Sequence, residues 1–117
     1  MGINSTEVAY QFGQLGSAYC DTATAVTPPA GKVIIAIYFI ADNTIGALVS
    51  EDPLMYFNTV SAAHEQDTSG TNATDHGDGG LALSGAKFPG GSTIFGRWTS
   101  VTPAADADGG IICYFGD

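Results

Sequence analysis

The sequence predicts a single all-β domain over residues 1–117, an antiparallel β-sandwich of jelly-roll-like type with about eight short strands. An immunoglobulin-like sandwich is the alternative. Three observations carry this expectation. Apolar residues come in short runs rich in β-branched and aromatic types, turn formers interrupt them roughly every 8–12 residues, and no stretch repeats with heptad spacing. A chain of 117 residues can bury one hydrophobic core but not two.

Taken in order, residues 5–12 alternate, with Val8, Tyr10 and Phe12 on one face and Glu7 and Gln11 on the other, as in a half-buried strand. Gly13 and Gly16 break the run, and residues 17–22 make a second short strand. Thr27-Pro28-Pro29-Ala30-Gly31 is a rigid turn, because neither proline has a ladder N–H to give. Residues 33–41 follow, β-branched or aromatic at almost every position; a run apolar on both faces predicts a central strand covered from both sides. Asp42 and Asn43 mark a turn before a strand at 45–49, and Glu51-Asp52-Pro53 breaks the chain ahead of a short apolar piece at 54–57. One helical turn fits 61–66. Residues 67–80 hold mostly Asp, Ser, Gly, Thr, Asn and His, too little apolar surface to order a segment, which reads as a long exposed loop. A brief strand at 81–83 precedes the turn Phe88-Pro89-Gly90-Gly91. The last quarter then reads as a closing hairpin, with strands around 93–101 and 111–115 joined through Asp106-Ala107-Asp108-Gly109-Gly110.

Charge narrows the function classes. Charged residues make up 13% of the chain, about half the usual share, so much of the surface is suited to meeting other protein. Twelve acids stand against Lys32, Lys87 and Arg97, a net charge of -9. That balance opposes nucleic acid, whose phosphates call for Lys and Arg, and it opposes anionic membranes. The amino-terminal residues carry neither the basic region nor the apolar stretch of a signal peptide, and the apolar run at 33–41 is too short to span a bilayer. Cys20 and Cys113 sit in apolar or aromatic company and read as buried free thiols, with no zinc-like Cys/His spacing.

Candidate chemistry is sparse. His64 and His76 lie with four acids in the polar stretch and offer borderline-to-hard metal ligands, but His64-Glu65-Gln66-Asp67 lacks the second histidine of a zinc helix. Asp106 and Asp108 start like a calcium loop, yet Gly110 stands where the next ligand belongs, so tight-turn chemistry accounts for them without metal. No cofactor is expected. There is no Gly-x-Ser-x-Gly elbow, P-loop or Gly-x-Gly-x-x-Gly motif, and Glu7, Glu51 and Glu65 fall at no spacing that sets a carboxylate pair. Nothing here reads as an enzyme. In the run 93–101, alternation puts Trp98 with Ile94 toward the core and projects Arg97 beside Phe95 on the other face. A lone Arg among so many acids points to an ion pair, within the chain or across an interface.

The opening Met-Gly-Ile-Asn-Ser-Thr-Glu-Val-Ala-Tyr-Gln-Phe-Gly-Gln-Leu-Gly-Ser, the Thr-Pro-Pro-Ala-Gly-Lys turn before an apolar strand, and Thr-Ile-Phe-Gly-Arg-Trp-Thr-Ser-Val resemble small virion structural proteins of tailed phages of marine bacteria, notably cyanophages. The resemblance covers the two ends and the central strand; nothing in 61–80 matches. It implies a non-enzymatic β domain that coats or cements a capsid, located on the virion surface. Its partners would be the major capsid protein and its own copies, often as a homotrimer. In seawater, where the screening length is about 4 Å at half-molar salt, an acidic coat can still assemble. Val8, Tyr10, Phe12, Phe95 and Arg97 are the expected interface residues. A tail, fibre or vertex protein presenting 61–80 for attachment is the second expectation, and a cellular carbohydrate- or metal-binding β module the third.

Overall fold

The computed structural model describes residues 15–52, 56–59, 83, 85–104 and 109–117. Six strands fall among them: β1 (Ser17–Cys20), β2 (Val33–Phe39), β3 (Asn43–Ser50), β4 (Lys87–Phe88), β5 (Thr93–Pro103) and β6 (Ile111–Gly116). They form one antiparallel sheet in the order β1-β6-β2-β5-β3-β4. The all-β expectation holds, with six strands among the described residues. The strand expected at 5–12 and the helical turn at 61–66 lie outside the described residues. Residues 56–59, at the end of the piece expected at 54–57, are not strand; they run beside β3, where Thr59 N–H donates to the carbonyl of Leu48.

The run that is apolar on both faces occupies the centre. β2 pairs with β5 on one side and β6 on the other, the position its β-branched composition favours. This placement corrects the closing hairpin. β5 and β6 are consecutive in the chain but do not pair, because β2 lies between them. Just ahead of β6, the carbonyl of Gly110 accepts from Ile40 N–H, next to the end of β2. Gly109 and Gly110 both take positive φ, as the turn reading requires. At Gly110 a Cβ would stand 2.5 Å from the carbonyl oxygen of Cys20, so no larger residue fits there.

The sheet curls on itself. Phe39 of β2 stacks on Phe88 of β4 with ring centroids 4.7 Å apart, although three strand spacings would part them by about 14 Å in a flat sheet. Register breaks between Ile34 and Ala36, Ile45 and Ala47, and Val49 and Ser50 supply the bend, since an extra residue locally increases twist and turns the strand. β5 is long enough to serve both sides of the curl: its first half pairs with β2, its second with β3. Val26 bridges to Val101, beyond the residues of β5 that β2 reaches.

The inner face is the core. Ile34, Ile37 and Phe39 of β2 meet Trp98 and Val101 of β5, Leu48 of β3, and Ile111 and Cys113 of β6, all fully buried. Trp98 faces inward, as the alternation predicts. Its indole lies over Gly96, where a Cβ would come 2.6 Å from the ring, and its Nε1–H donates to the carbonyl of Phe57. Both cysteines are free thiols. Cys20 stands opposite Ile111 and Cys113 opposite Ala18, so the two thiols are diagonal across the ladder. Diagonal positions are about 7–8 Å apart, beyond the usual Cα span of a disulfide.

Candidate interaction surface

The register breaks decide what the outer face shows. Without the irregularity at Ile35, Ile34 and Ala36 would share a face; with it, Ile34 is in the core and Ala36 points outward. The pairings then align two rows across four strands. Tyr19, Ile112, Tyr38 and Thr93 stand side by side, and next to them Ser17, Tyr114, Ala36 and Phe95. None of these eight residues carries a charge at neutral pH. Tyr19 is neutral as any phenol is at neutral pH, and partial desolvation, then the neighbouring Asp21 carboxylate, raise its pKa above the ordinary value.

Relief on this surface centres on Ala36. Its small side chain floors a hollow of about 290 Å3 walled by Tyr38, Thr93, Phe95 and Tyr114. Phe95 and Tyr19 stand up from the sheet, 61% and 59% exposed. Aromatic relief without charge is the composition of an interface core rather than of ordinary solvent-facing surface.

A polar border closes one end. Arg97 donates from Nε to Glu51 Oε1 at 2.7 Å, from a second nitrogen to Oε2 at 3.2 Å, and from the third to the main-chain oxygen of Asp117 at 2.7 Å. Lys32 Nζ reaches Asp117 Oδ1 at 2.6 Å. Two of the chain's three bases are thus matched with two acids where β2, β3, β5 and β6 converge. The Glu51 carboxyl is held below its ordinary value, first by the hydrogen bond from Arg97, against a smaller opposing effect of desolvation. The guanidinium is correspondingly raised, again through Glu51 first.

Of the residues expected from the sequence, Phe95 belongs to the outer face, and Arg97 stands at its border with a carboxylate of its own chain. Val8, Tyr10 and Phe12 lie outside the described residues, as do His64, His76, Asp106 and Asp108. No group of His, Cys, Asp or Glu suited to a metal ion occurs among the described residues. No helix among them is long and apolar enough to cross a membrane. Sequence reasoning missed Tyr19, Ala36, Tyr38, Ile112 and Tyr114. The available signal was β6, apolar at every position from Ile111 to Phe115, which has the same two-faced pattern that marked β2.

No protein-family model, curated protein or solved structure matches the chain.

Proposed function

We propose that this protein is a non-enzymatic structural component of a virion, a decoration or cement protein that binds the capsid shell and stabilises it through its outer sheet face. The observation that carries the reading is the uncharged aromatic surface across β1, β6, β2 and β5, set in a chain of net charge -9. A strongly acidic protein repels its own kind and other acidic surfaces over most of its area. An uncharged face with standing aromatic rings is where it can dock at the lowest electrostatic cost, burying apolar area between its own copies and across seams of the major capsid protein. The resemblance to small phage virion proteins supplies the setting. The finer fold reading, a jelly-roll-like sandwich, belongs with this proposal and is supported by the stacking of Phe39 on Phe88 across the curl.

Shell binding adds free energy only to the assembled state and so raises the resistance of the particle to heat and osmotic shock. Virions stripped of the protein should lose that resistance, regain it when wild-type protein is added back, and fail to regain it with Phe95→Asp. Unchanged resistance after stripping would count decisively against a cementing role.

A further inference from the structure

We draw no further inference here: the strongest candidate, the hollow over Ala36 on the outer sheet face, walled by Tyr38, Thr93, Phe95 and Tyr114, carries none, because nothing in the structure shows what covers that face.

Discussion

Trp98 is the residue on which the inner face is assembled. It is fully buried, meets Phe57 edge to face at 5.5 Å between centroids, and satisfies its indole N–H on the carbonyl of Phe57. Truncating such a side chain loses its transfer free energy and leaves a cavity, so Trp98→Ala should cost about 3–5 kcal/mol of unfolding free energy in a denaturant titration. Gly96→Ala tests the same contact from the other side. The added methyl meets a ring that cannot retreat from the core, and overpacking of that kind costs about 1–3 kcal/mol. Arg97 and Glu51 make a pH prediction. A carboxyl whose folded pKa is depressed contributes its stability above the unfolded value, near 4.3, and loses it as pH falls through the folded value. The melting temperature of Glu51→Gln should therefore lie below wild type at neutral pH and converge with it in acid. A gap that stays constant from neutral pH into strong acid would show that this carboxylate is not its source. Cys113 is buried and its thiol is pushed up to about 12, by desolvation first and Cys20 second. In a thiol titration of native protein it should react only on unfolding, with Cys20, which is partly exposed, ahead of it.

At the scale of elements, what was legible and what was not divide along one physical line. The central position of β2 could be read because a strand with Ile34 and Ile37 inward and Tyr38 outward has to be apolar on both faces. Trp98 could be assigned to the core because period two survives between Ile94 and Trp98. The partners of β5 and β6 could not be read. A turn rich in Asp and Gly marks where the chain reverses, but it does not say whether a strand from elsewhere enters between its arms, and β2 does. The outer face was obscured for a related reason. The break at Ile35 exchanges inside and outside partway along β2, so counting alternate residues forward from Ile34 assigns Ala36 to the core. Phe95 was found because its own strand is regular there. Asn43, at the start of β3, is another feature invisible in sequence. It is 3% exposed, and neither polar atom of its side chain has a hydrogen-bond partner among the described residues. An apolar residue of similar shape removes that desolvation penalty, so Asn43→Leu should raise unfolding free energy by about 1 kcal/mol. A loss of stability would mean the amide is satisfied in solution.

For the whole molecule, the uncharged aromatic row on the outer face of the described sheet is the central feature. The matched cluster at Lys32, Glu51, Arg97 and Asp117 borders the aromatic surface at one end. The proposed function has the protein bind through this uncharged face. A coat or cement protein works by repetition, with each copy adding a small contact to a shell that offers the same seam many times. The number of copies per particle therefore tests the account most directly, by quantitative mass spectrometry of purified virions against the major capsid protein. The account predicts copies in the hundreds, in fixed proportion to the shell; a few copies, or about a dozen, would place the protein at a tail or a single vertex and contradict it.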